Sequence, residues 1–157
     1  MTEAHLTQHP GPAFVDLPAA MIQALVDRAR AEDPDEACGV IVGDRPAADG
    51  GRALRFEPAR NEAASAYRYE IHPDDLLRLT IATDEADEVF WGIVHSHTHT
   101  PARPSPTDVA LALYPDVLYL VVSLAPDEAD PTSGAPGVRA WRIVGGEVFE
   151  VELRVTR

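Results

Sequence analysis

Two stretches of the chain are apolar almost without interruption, Cys38-Gly39-Val40-Ile41-Val42-Gly43 and Val117–Leu124. A strand of this kind has no polar face to offer to water, so it belongs in the middle of a sheet covered on both sides. The chain also carries the covering layers. From Pro18 onward Met21, Ile22, Leu25 and Ala29 recur at helical spacing, which predicts a helix to about Ala31 with Pro18 in its first turn. A second helix starts at Pro73-Asp74-Asp75, acidic where the macrodipole favours acid, with Leu77/Ile81 and Leu79/Ala82/Ala86 as its inward-facing sets. Further strands are expected at 13–16, 52–58, 66–72, Phe90–His95, Val138–Val144 and Val148–Val155, with a short helix over Val109–Tyr114. Gly145-Gly146 between the last two strands is a two-residue hairpin signal. The order of elements predicts a single mixed β-sheet flanked by helices, an α/β or α+β layered domain.

The 157 residues suffice for one such domain, expected over 13–157, behind a loose lead-in at 1–12 that contains Pro10 and Pro12. Asp and Glu number 26 against 13 Lys and Arg, a formal charge of −13. That balance argues against binding nucleic acid or an anionic membrane, both of which need basic surfaces. The one cysteine, Cys38, excludes an internal disulfide and any zinc site built from paired C-x-x-C ligands, and its expected place is the core. The opening MTEAHLTQHPGP lacks the basic and apolar regions of a secretion signal, so the expected location is cytoplasmic.

Chemistry concentrates in WGIVHSHTHTPARPSPTDVALAL. His95 and His97 stand two apart at the end of a predicted strand, where the pleat sends alternate side chains to one face, so both imidazoles can reach one ion. A catalytic zinc takes three protein ligands of the imidazole and carboxylate kind and keeps a fourth position for water. Asp108 is the nearest downstream carboxylate and the candidate third ligand. Ser105-Pro106-Thr107-Asp108 also reads as a capping box that merely starts a helix, and the two readings can coexist. Other histidine motifs do not fit. No Glu directly follows a histidine, His99 stands where a metallo-β-lactamase needs Asp, and no Glu follows His97 as in a cupin. The chain is short for a barrel amidohydrolase and lacks the deaminase H-x-E and P-C-x-x-C and the hydrolase G-x-S-x-G.

The pattern H-x-H, seven residues, S-x-x-D, formed by His95, His97, Ser105 and Asp108, resembles the JAMM (MPN+) metallopeptidase motif. The segment Pro34-Asp35-Glu36-Ala37-Cys38-Gly39-Val40-Ile41-Val42-Gly43 is similar to the family's glutamate-bearing early strand. The likeness runs in weaker form from 18 to 124 and is greatest to compact bacterial members, including the actinobacterial Mec+ type. It implies a JAMM/MPN, cytidine deaminase-like architecture, one Zn²⁺ per chain on His95, His97 and Asp108, Glu36 as the catalytic base and Ser105 as an oxyanion donor. It further implies hydrolysis after the C-terminal Gly-Gly of a ubiquitin-like sulfur carrier protein, releasing cysteine in cysteine biosynthesis. The carrier tail would add to a sheet edge, with Asn61–Ile71 and the loop before Ser105 as groove walls. Three alternatives stand beside this reading: a deubiquitinase-like isopeptidase, a zinc hydrolase of small amides, and a metal-free MPN scaffold for protein contacts. The sequence leaves open whether His99 joins the site, which divalent metal is bound, and the oligomeric state, a homodimer included.

Overall fold

The structure, a computed structural model, describes residues 11–157. The expected lead-in therefore lies outside the described residues except for Gly11 and Pro12, as do His5 and His9. Seven strands form one sheet: β1 (Phe14–Pro18), β2 (Cys38–Gly43), β3 (Ala53–Ala59), β4 (Val89–His97), β5 (Leu118–Ser123), β6 (Gly137–Val144) and β7 (Glu147–Thr156). Their order across the sheet is β1-β7-β6-β5-β4-β2-β3. The pairs β1/β7 and β4/β5 are parallel and the others antiparallel, so the sheet is mixed as expected. The helices are α1 (Ala19–Glu32), α2 (Pro73–Glu85) and α3 (Pro106–Ala110).

The two apolar runs are β2 and β5, and every residue of both strands is buried. One sheet face carries Ile41, Val94, Leu120, Val122 and Ala140, and α1 closes over it with Met21, Leu25, Val26 and Ala29. The opposite face carries Ile93, Tyr119, Val121, Trp141 and Ile143, packed with Ala102 and Val117, and Val40 and Val42 meet Leu79 of α2 there. Period-two alternation in each central strand supplies both cores at once.

A β-bulge disturbs that alternation. The β2/β4 register slips between Ile41 and Val42, which pair with Gly92 and Phe90 and leave Trp91 unpaired. One extra residue reverses the side-chain phase, so Trp91 joins the α1-side core while Ile93 stays on the other face. The same phase sends His95 and His97 to the α2 side.

At the far end, the β6–β7 hairpin turns through Gly145 (φ 59°) and Gly146 (φ 82°). Two consecutive left-handed residues are what a twist-matched two-residue turn requires, and the paired glycines met that need.

Three local expectations fail. Residues 66–72 form no strand, only a single bridge between Asn61 and Ile71. The short helix occupies Pro106–Ala110, where its Ser105 cap dictates, rather than Val109–Tyr114. On α2 the buried positions are Asp75, Leu79 and Thr83, while Leu77 is 60% exposed and Ile81 49%. The apolar pattern suggested a wider buried stripe, but α2 meets the sheet along one row at i, i+4 spacing. His72 caps α2 by accepting from the Asp74 N–H at 3.1 Å.

Candidate metal centre and active site

His95 and His97 occupy the C-terminal end of β4, and both are buried. The chain leaves the sheet there and returns through α3, where Asp108 is also buried. Several bonds hold the intervening loop. Trp141 Nε1 donates to the Ala102 carbonyl at 2.9 Å, and the Ala102 N–H donates to Glu128 Oε1 at 2.9 Å. Ser123 Oγ donates to the Thr100 carbonyl at 2.6 Å. The result is convergence: His95 Nε2 and His97 Nε2 lie 3.2 Å apart and are 3.0 and 3.1 Å from Asp108 Oδ2. Among the described residues these three form the group whose ligand atoms could share one ion.

The capping box and the convergence share a residue. Ser105 Oγ accepts from the Asp108 N–H at 3.1 Å, and the Ser105 N–H donates to Asp108 Oδ2 at 2.8 Å. The helix start thus aims Asp108 at the histidines, and the sequence reading in which cap and site coexist describes the geometry. As an acceptor, the Ser105 hydroxyl keeps its own proton free to donate.

His97 is oriented from behind. Its Nδ1 donates to the Pro101 carbonyl at 2.7 Å, which fixes the ring with Nε2 facing Asp108 and His95. Burial lowers the His95 pKa against the opposing pull of Asp108. At His97 burial acts downward too, but the Asp108 and Pro101 hydrogen bonds outweigh it and raise the pKa. Burial would raise Asp108, yet the hydrogen bonds from His95 and His97 hold its carboxyl well below the usual range. Two imidazoles and an ionised carboxylate are suitable donors for a tetrahedral dication. Ligand bonds of about 2 Å in a tetrahedron separate the ligand atoms by about 3.3 Å, close to the observed triangle. The donor set fits a zinc-type ion.

Glu36 stands at the edge of this cluster. The antiparallel register pairs Cys38 with His95, and Ala37 exchanges bonds with Ser96 through N–H to Oγ (2.7 Å) and carbonyl from N–H (3.0 Å). Glu36, two residues before Cys38, comes close enough for both His97 and Asp108 to act on its carboxyl. It is 3% exposed, and its Oε1 is buried without a hydrogen-bond partner among the described residues. Burial pushes its carboxyl up to about 8, with His97 pulling down and Asp108 pushing up. Burial of this kind strengthens a carboxylate's hold on a proton, the property that a proton acceptor needs.

His99 is exposed, and its Nδ1 lies 2.8 Å from the Thr98 hydroxyl, outside the triangle. Cys38 is a core residue, as expected, and Trp91 is buried too.

The sequence did not single out Tyr69, whose ring stacks on His95 with centroids 4.3 Å apart and planes at 15°. Nor did it assign individual roles to Asn61 or the Pro101 carbonyl. An aromatic or an Asn in an irregular segment carries no periodic signal that would reveal them. Beside Tyr69 runs an apolar groove of about 390 Å³ walled by residues 68–71 on one side and Leu111, Leu113 and Tyr114 on the other. Of the two expected wall segments, residues 68–71 line this groove and the residues just before Ser105 do not. A larger cavity of about 700 Å³, between β1 and residues 47–54, has none of the cluster residues in its lining.

Residues 18–144 match the family of prokaryotic homologs of the JAB domain. The CysO-cysteine peptidase of Mycobacterium tuberculosis is 40% identical over 137 residues, covering 87% of this chain and 88% of that protein. The desampylase of Haloferax volcanii is 32% identical over 96 residues, 60% of this chain and 67% of that protein. The solution structure of DSY2949 from Desulfitobacterium hafniense superposes with a TM-score of 0.76 at 29% identity, covering 92% of this chain and 94% of that one. With the family match spanning most of the sheet and all of the His-His-Asp cluster, the chain belongs to the prokaryotic JAB-domain family.

Proposed function

We propose that this chain is a zinc-dependent peptidase that hydrolyses the amide bond after the C-terminal Gly-Gly of a ubiquitin-like sulfur carrier protein and releases cysteine. The observation that carries the reading is the convergence of His95, His97 and Asp108 beside the buried, unpartnered Glu36 carboxyl. The 40% identity to a CysO-cysteine peptidase over most of both chains supports the substrate class. The apolar groove beside Tyr69 suits an extended tail whose glycines bring no side chains to the scissile bond.

In this reading His95 Nε2, His97 Nε2 and Asp108 Oδ2 hold the ion. Bound there, a zinc-type dication supplies Lewis-acid polarisation of the water and the carbonyl that meet at the site. Glu36 takes the proton of the attacking water and passes it to the leaving amine, roles that its burial and raised proton affinity support. The Ser105 hydroxyl donates to the carbonyl oxygen as negative charge develops on it, while its lone pair continues to cap α3. Pro101 and Tyr69 keep the two imidazoles from turning.

The test combines metal analysis with mass spectrometry of a carrier carrying Gly-Gly-Cys. About one zinc per chain, loss of cleavage on chelation, and loss in Glu36→Gln with zinc retained are expected. Full activity of Glu36→Gln would remove the base from the mechanism. The similarity to a desampylase favours a second reading, cleavage of an isopeptide bond to lysine. Faster turnover of a Gly-Gly-lysine adduct than of the cysteine adduct would select it.

A further inference from the structure

Glu36 precedes β2, so the sheet ladder does not fix it. Both of its backbone groups go instead to the segment 61–70. Its N–H donates to the Ser65 carbonyl at 2.7 Å, and its carbonyl accepts from Asn61 Nδ2 at 3.0 Å. With Oε1 lacking a hydrogen-bond partner, the direction of the carboxyl is inherited largely from this backbone attachment.

Asn61 uses its full capacity in the same place. Nδ2 also donates to the Arg68 carbonyl at 3.1 Å, and Oδ1 accepts from the N–H groups of Ala63 at 3.0 Å and Glu70 at 2.9 Å. Two carbonyls on one side and two N–H groups on the other fix which way the amide points. The loop it ties is closed by the Glu62 N–H to Glu70 carbonyl bond at 2.7 Å and by the Asn61–Ile71 bridge. That loop carries Tyr69, the groove wall stacked on His95.

We propose that Asn61 is a positioning residue for catalysis: its saturated amide fastens the groove loop to the backbone of Glu36 and thereby sets where the Glu36 carboxyl stands. The proposal rests on the reading of Glu36 as the base. No other side chain among the described residues is hydrogen-bonded to both the Glu36 backbone and the loop bearing Tyr69. A base must stand within hydrogen-bond reach of the proton it removes, so a small displacement of the Glu36 backbone is costly.

The test uses Asn61→Asp, which keeps the size but replaces the donor that faces two carbonyls, alone and combined with Glu36→Gln. Expected is a fall in kcat of about 10- to 100-fold with KM for the cysteine adduct and zinc content little changed. In the Glu36→Gln background the same substitution should add almost nothing, because it acts through that residue. Independently of activity, amide exchange in the metal-free protein should quicken at Glu36 and Glu70 and stay unchanged in β4 and β5. Unchanged kcat, an equal loss in both backgrounds, or unaltered exchange at Glu36 would each overturn the proposal. Should Asn61→Asp fail to fold, Asn61→Ser keeps one donor and one acceptor and is held to the same criteria. High activity of Glu36→Gln alone would instead reject Glu36 as base, and the exchange measurement would still report whether Asn61 holds its backbone.

Discussion

The ring of Tyr69 lies nearly parallel to the ring of His95, 4.3 Å between centroids and 15° between planes. The imidazole is therefore held on one face by an aromatic from a loop, while its own Nδ1 has no hydrogen-bond partner among the described residues. Stacking here replaces the polar contact that usually orients a ligand histidine. Tyr69→Ala should weaken zinc binding about tenfold, measured by competition with a chromogenic chelator, whereas Tyr69→Phe should bind nearly as the parent does. Equal affinity for Tyr69→Ala and the parent would show that β4 alone orients His95.

Substitution can separate the cap that Ser105 forms from its proposed role as oxyanion donor. Its Oγ accepts from the Asp108 N–H, so Ser105→Ala should cost about 1 kcal/mol in chemical denaturation. As an oxyanion donor it should also cost about 100-fold or more in kcat. Ser105→Asn restores a capable cap without placing the hydroxyl, so stability should recover and turnover should not. Recovery of both would make the residue a cap alone.

Acid stability should depend on Asp75. It receives hydrogen bonds from Arg60 through Nε at 3.1 Å, Nη2 at 3.0 Å and the backbone N–H at 2.8 Å, which hold its carboxyl at about 2, below the ordinary 3.8. A depressed folded-state pKa contributes stability that is complete above the unfolded value. It is lost as pH falls through the interval from about 3.8 to about 2. In thermal melts from pH 6 to 2, Asp75→Asn should be less stable than the parent at the upper end and lose less on acidification. Parallel curves would exclude the pair as an acid-sensitive element.

Gly39 in β2 sits where a side chain has no room. An added Cβ would lie 2.6 Å from the Glu57 carbonyl oxygen and 2.6 Å from Phe56 Cε1. Because the first obstacle is backbone, Gly39→Ala should cost about 1–3 kcal/mol by urea denaturation. Gly92→Ala meets the Leu120 Cδ1 methyl at 2.7 Å, which can turn aside, and should cost less. A smaller loss for Gly39→Ala than for Gly92→Ala would contradict this packing.

Local periodicity made much of this protein legible. Uninterrupted apolar runs announce β2 and β5 because a strand buried on both faces has no polar side to show. His95 and His97 share a face because the strand period is two, and Ser105 with Asp108 announces a helix start whose carboxylate points back toward the strand end. What depends on packing at a distance was harder to read. The apolar pattern of α2 does not reveal its buried face, because Leu77 and Ile81 are apolar yet largely exposed, and residues 66–72 resemble a strand although only a single bridge receives them.

The sequence by itself determined the layered class, the hairpin and which donor-type side chains stand at the strand end and helix start, since these follow from spacing along one element or one turn. Only the tertiary structure decided that the Glu36 carboxyl is buried beside the cluster, that Asn61 ties its backbone to a loop, and that Tyr69 covers His95. Those relations join residues far apart in the chain, and their geometry is set by strand register and loop closure, which no local pattern encodes.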